Sequence, residues 1–164
     1  MLTLDQAFLS FSISRMKALL GQIETCLGKL DEPALWGRTG DNANSAGNLC
    51  LHLEGNVRQL ILHSIGGAPD VRVRDNEFNT RGGLTRTDVL AKLTAVVNEA
   101  GALLETLPAE RLLETVHPMG REMLALDTIY MVVQHFALHT GQIIFLTKAF
   151  TGEDLNLPRF ATTK

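Results

Sequence analysis

Cysteine is nearly absent from this 164-residue sequence. Cys26 and Cys50 stand alone, with no CxxC pair and no framework spacing, so neither a disulfide scaffold nor a thiolate metal site is indicated and both read as small buried hydrophobes. There is also no concentration of positive charge. The formal net charge is −3 and the pI about 5.9, and the lysines and arginines are scattered along the chain. Nucleic-acid binding, which needs a gathered basic footprint, is therefore not expected. The opening stretch MLTLDQAFLSFSISRMK lacks a basic segment followed by an unbroken apolar one, and no later apolar run approaches ~18 residues, so the expected setting is the cytoplasm with no membrane partner. Gly-Pro-Ser clusters are few. Together with 45% hydrophobic and 20% charged residues, this composition describes a soluble globular chain, expected to form one domain over 1–164.

Alternating β-branched runs are missing as well; the periodicity that is present is helical. The T-x-x-Q pattern at Thr3 and Gln6 reads as a capping box for a first helix with apolar positions at Leu4, Phe8, Phe11, Leu19, Leu20, Ile23, Leu27 and Leu30, ended by DEPALWGRTGDNAN. A second helix is expected from Ser45 to Ile65, stopped by Gly66-Gly67. A third starts near Thr85 or Thr87 and ends at Pro108, and a fourth runs from Leu126 to Phe150. Four amphipathic helices and no sheet imply an all-α four-helix bundle. The connection GGAPDVRVRDNEFNTRGGL (66–84) can travel the length of a helix, so the third can run parallel to the second; its composition suggests an ordered covering loop.

Two polar stripes interrupt the apolar faces. On the fourth helix, Thr128, His139 and Gln142 fall within ~40° of His135 at ~100° per residue, while the other directions are mostly apolar. On the second, Asn48, Asn56, Gln59 and His63 lie on the side of His52, a stripe that by itself reads as a solvent face. His63 is ~16 Å further along and cannot share a centre with His52. His117, before a proline, reads as a loop residue, and Trp36 as core or as a wall of the pocket mouth.

If these two helices face each other, His52, His135 and His139 form a three-imidazole cluster able to hold a divalent ion, Zn or Ni by donor type, with open positions. Asn48, Asn56, Thr128 and Gln142 would then hydrogen-bond the ligating rings. Otherwise the rings are satisfied by neighbouring amides or solvent and the bundle needs no metal. Phe136 stands where a zincin would place its glutamate, which removes that reading, and Glu54 lies ~160° from His52 and points away. Arg74, Asp75, Glu77 and Arg81 of the crossing loop could reach over the site and clamp a substrate, or could simply hold the loop by salt bridges.

NSAGNLCLHLEGNVRQLI, the RVRDNEFNTR loop and QHFALHTGQIIFLTK together resemble the DinB/YfiT-like superfamily of bacterial helical bundles, over nearly the whole chain. The resemblance implies an up-down-down-up bundle, a homodimer, and a divalent metal held by His52, His135 and His139. It also implies an enzyme acting on a small-molecule substrate with a low-molecular-weight thiol (an S-transferase or isomerase) or with water (a hydrolase). The alternative is a non-catalytic bundle that binds a metal or small ligand. No catalytic residue is assigned from the sequence.

Overall fold

The computed structural model describes residues 1–157. Four long helices form the bundle: α1 (Leu4–Lys29), α3 (Ala46–Val57, continued by a π-helical turn over Arg58–His63), α5 (Arg86–Glu105) and α6 (Ala125–Thr151). Two short helices lie between them, α2 (Glu32–Trp36) and α4 (Arg74–Asn79), and a small hairpin pairs β1 (Thr115–Val116) with β2 (Met123–Leu124) ahead of α6. The four expected helices are thus present. The crossing loop, read as irregular, contains the helix α4, and the hairpin was not anticipated from the sequence.

The helix ends follow local chemistry. Thr3 and Gln6 cap α1 reciprocally, Ser45 and Asn48 cap α3, and Thr85 and Asp88 cap α5, each side chain answering an otherwise open N–H of the first turn. Gly152 ends α6 in the left-handed conformation, φ 70°, which a residue without Cβ adopts freely.

α1 packs on α5 and α6, and α3 on the same two helices from the other side. The end contacts fix the directions. Trp36 touches the start of α3 at Gly47 and donates its indole N–H to Leu84 O just before α5, while Leu103 lies against Gly66 at the far end; α3 and α5 run the same way. Lys29 pairs with Glu153, so α1 and α6 end together, and Arg86 at the start of α5 donates to Leu27, Gly28 and Leu30 carbonyls at the end of α1. This is the up-down-down-up order.

The core is built from Met16, Ile23, Leu27, Leu53, Ile61, Leu93, Leu104, Ile129 and Phe136, all fully buried. Leu4 and Phe11, counted by periodicity on the apolar stripe of the first helix, are exposed instead; near the helix start the stripe runs past its partners. Cys26 and Cys50 are buried free thiols, and burial raises both thiol pKa values. By length and composition α6 would suffice to cross a membrane; in the fold, Ile129, Val132, Phe136 and Ile143 face the bundle core.

Trp36 locks the connection between α1 and α3. A Cβ at Gly47 would stand 2.7 Å from its ring. Gly47→Ala should therefore destabilise the protein in urea titrations by about 1–3 kcal/mol from overpacking, despite a helix-propensity gain of about 1 kcal/mol. The loss should shrink in a Trp36→Phe background; equal stability of Gly47→Ala and the parent protein would contradict the packing described.

Candidate metal centre

His52 sits two turns into α3, and the stripe it belongs to is covered, not solvated. The cover is α4. Asn48 donates from Nδ2 to the carbonyls of Glu77 and Thr80, each at 2.8 Å, and Arg38 bridges Asn48 Oδ1 (2.8 Å) and Phe78 O (2.7 Å). Asn48 therefore makes no bond to an imidazole; it fastens the lid of the site. Thr128 is likewise apart from the rings, its hydroxyl donating to Leu124 O at the start of α6.

Beneath α4 the carboxylate of Glu77 is buried and accepts from His52 Nδ1 at 2.8 Å. Arg72 completes its shell in a two-pronged ion pair, Nε to Oε1 at 2.6 Å and Nη2 to Oε2 at 2.9 Å, and reaches Gln59 Oε1 with Nη1 at 2.9 Å. Burial works to raise the Glu77 pKa, but the hydrogen bonds from Arg72 and His52 outweigh it and hold the carboxyl below its ordinary range. The room for this carboxylate comes from Gly55: a Cβ there would collide with Glu77 Oε1. Glu77, expected among substrate-clamping residues, is thus a partner of His52, and Arg72 was not singled out at all. A glycine three residues after His52 in mid-helix was the signal in the sequence that another group approaches the backbone there.

The other loop residues differ in role. Arg74 is exposed and lies over the Phe78 ring, 4.8 Å from its centroid, and Phe78 in turn packs on His52. Arg81 donates to the carbonyls of Phe78 and Thr80, and Asp75 is exposed in the first turn of α4. His63 binds Ala68 O, Glu54 pairs with Arg58, and neither reaches the centre.

His52, His135 and His139 converge, their ligand nitrogens all within 4.8 Å of one another, with ring centroids 4.3–5.0 Å apart. His52 Nε2 lies 2.9 Å from His135 Nε2. His139 Nδ1 donates to Gln142 Oε1 at 2.6 Å. With Nδ1–H of His52 held by Glu77 and that of His139 by Gln142, both rings turn an Nε2 lone pair inward. Burial, together with the fields of His139, His52, Arg72 and Arg74, pushes His135 down to about 4, and burial lowers His139 as well. At neutral pH these are unprotonated donors. Two imidazoles on one Zn-sized ion place their nitrogens about 3.0–3.4 Å apart, so a divalent cation fits this donor set with small adjustments. Next to the rings is a cavity of about 200 Å³ lined by His52, Asn56, Leu60, Arg72, Arg74, Met119, Met131 and His135. A roomier cavity, about 680 Å³, between α1 and the end of α5 has no histidine or cysteine in its wall.

The family described as a protein of unknown function (DUF1572) matches residues 3–161. The chain belongs to this DinB-like family. Among solved structures, a DinB-like protein (YjoA) from Bacillus subtilis superposes with a TM-score of 0.69 at 17% identity, over 91% of this chain and 96% of that one. A DinB-like protein from Bacillus cereus gives 0.69 at 14% identity, over 90% and 94%. These likenesses show the DinB-like helical fold. No curated protein matches the sequence.

The lowered histidines set a sign for acid stability. His135 in the folded chain refuses a proton that the unfolded chain accepts below its ordinary value of 6.5, so the metal-free protein should lose stability as pH falls from 6.5 toward about 4. Urea midpoints across that window should fall with acid, and His135→Phe should flatten the fall; a pH-independent midpoint would contradict the buried neutral ring.

Proposed function

We propose that this DinB-like protein is a metal-dependent enzyme in which His52, His135 and His139 hold a divalent ion, Zn or Ni, for chemistry on a small substrate with a low-molecular-weight thiol or water. The observation that carries the reading is the convergence of three imidazoles from two helices, two of them oriented from behind by Glu77 and Gln142. A divalent ion with three neutral ligands keeps its full charge and lowers the pKa of a thiol or water at its open position toward neutrality.

The chain's own groups define the rest. Glu77 fixes the tautomer of His52 and its negative charge strengthens the ring as a donor. Arg72 keeps that carboxylate ionised and in place. Phe78 and α4 shield the inner side from water. Neither Glu54 nor Phe136 can serve as a base at the centre: one is paired with Arg58, the other fully buried in the core. The homodimer and the cytoplasmic setting implied by the family resemblance are part of the same proposal; exposed Leu138 and Phe145, seven residues apart on one face of α6, favour self-association.

Elemental analysis of purified protein should find about one Zn or Ni per chain, lost in His135→Ala with the helical circular dichroism retained. Glu77→Gln should weaken metal affinity about 10–100-fold by competition titration. Metal-free protein that melts at the same temperature with and without a chelator would overturn the metal reading.

Turnover separates enzyme from binding protein. Metal-loaded protein, a low-molecular-weight thiol and a chlorinated arene should give thioether at a rate that His52→Ala abolishes, or an ester should be hydrolysed with the same dependence. A metal-loaded protein inert to both would assign the chain to non-catalytic binding.

A further inference from the structure

The cavity beside the three rings contains two polar groups that the protein leaves without a partner. The side-chain carbonyl oxygen of Asn56 accepts no hydrogen bond, in a residue only 7% exposed. Buried acceptors are nearly always satisfied, so an open one facing a cavity calls for a donor from outside the chain. Arg74 is the other. Among the described residues its guanidinium makes no hydrogen bond or ion pair, only the ring contact with Phe78. Arg72, in the same wall, is fully engaged by Glu77 and Gln59, which leaves Arg74 as the available cation.

The remaining wall is apolar: Leu60, Met131 and Met119, the last held at φ 53° in the turn between β1 and β2. No carboxylate lines the cavity. A ligand ammonium would therefore meet cationic groups without a counter-charge, whereas a carboxylate has Arg74 and a hydroxyl has Asn56. At about 200 Å³ the space is below the 300–1,000 Å³ of sites that enclose drug-sized ligands. A nucleotide or sugar conjugate would not be enclosed.

We propose that this cavity binds a small 2-hydroxycarboxylate with a short apolar tail. Its carboxylate lies on Arg74, its hydroxyl donates to Asn56 Oδ1, and its tail rests on Leu60, Met119 and Met131, where flexible thioethers adapt to its shape. One end of the molecule faces His52 and His135, and only this last placement rests on the metal-dependent reading.

Isothermal titration with 2-hydroxy-4-methylpentanoate, 4-methylpentanoate and neutral 2-hydroxy-4-methylpentanamide tests the assignment, on the protein both metal-loaded and stripped of metal. The hydroxy acid should bind best in both forms. Arg74→Ala should weaken both carboxylates at least about ten-fold and leave the amide unchanged, with partial recovery in Arg74→Lys. Asn56→Leu should erase the advantage of the hydroxy acid over the plain acid; if that variant does not fold, the same comparison on the parent protein carries this arm. No saturable binding of the hydroxy acid, or equal binding by Arg74→Ala, overturns the proposal. Failure of the metal reading shows separately, as no metal by elemental analysis while the Arg74 and Asn56 effects persist.

Discussion

The arrangement around the three histidines depends on one buried carboxylate. Glu77 joins the covering helix α4 to the bundle, orients His52 through Nδ1, and is neutralised by Arg72 from the segment just before α4. An isolated carboxylate at this depth would be strongly unfavourable, so the ion pair and the hydrogen bond from the imidazole form together or not at all. Gly55 is the backbone counterpart of this interaction, since any side chain on that face of α3 would occupy the carboxylate's place. Lid, ring orientation and charge balance are thus parts of one interlocked unit, with Asn48 and Arg38 pinning its other end.

Electrostatically, the unit divides labour by distance. The negative charge stands behind His52, one ring removed from the point where the nitrogens converge, and the positive charges of Arg72 and Arg74 help keep His135 neutral. A carboxylate among the ligands would compensate a bound cation directly. Placed behind the ring it acts through the imidazole, so a cation at the centre keeps more of its charge for whatever approaches from the cavity.

The bundle was legible because helix period, caps and stop signals agree along the chain: Thr3, Ser45, Thr85 and Gly152 each mark an end where the sequence places one. The three histidines were legible because an i, i+4 pair and a third histidine each lay on a polar stripe of its own helix. Partners set by long-range contacts were not. Asn48 and Thr128 share the stripes of the rings, yet their groups satisfy backbone carbonyls instead, as short polar side chains near helix starts commonly do. Arg72 and the true role of Glu77 depend on where a 19-residue connection comes to rest, which no periodicity encodes. The hairpin that delivers Met119 is two residues per strand, too short for an alternating pattern.

The π turn at Arg58–His63 gives α3 two separate indices. Each residue of a regular helix advances ~100°, so one wider turn offsets the register of all that follows relative to all that precedes. Ahead of it, the positions of His52, Gly55 and Asn56 answer to the centre; beyond it, Leu60, Ile61, Leu62 and Ile65 answer to the core. A single helix thereby satisfies two sets of neighbours whose angular demands do not share one phase, and the length of that turn, more than any side chain in it, keeps the two halves compatible.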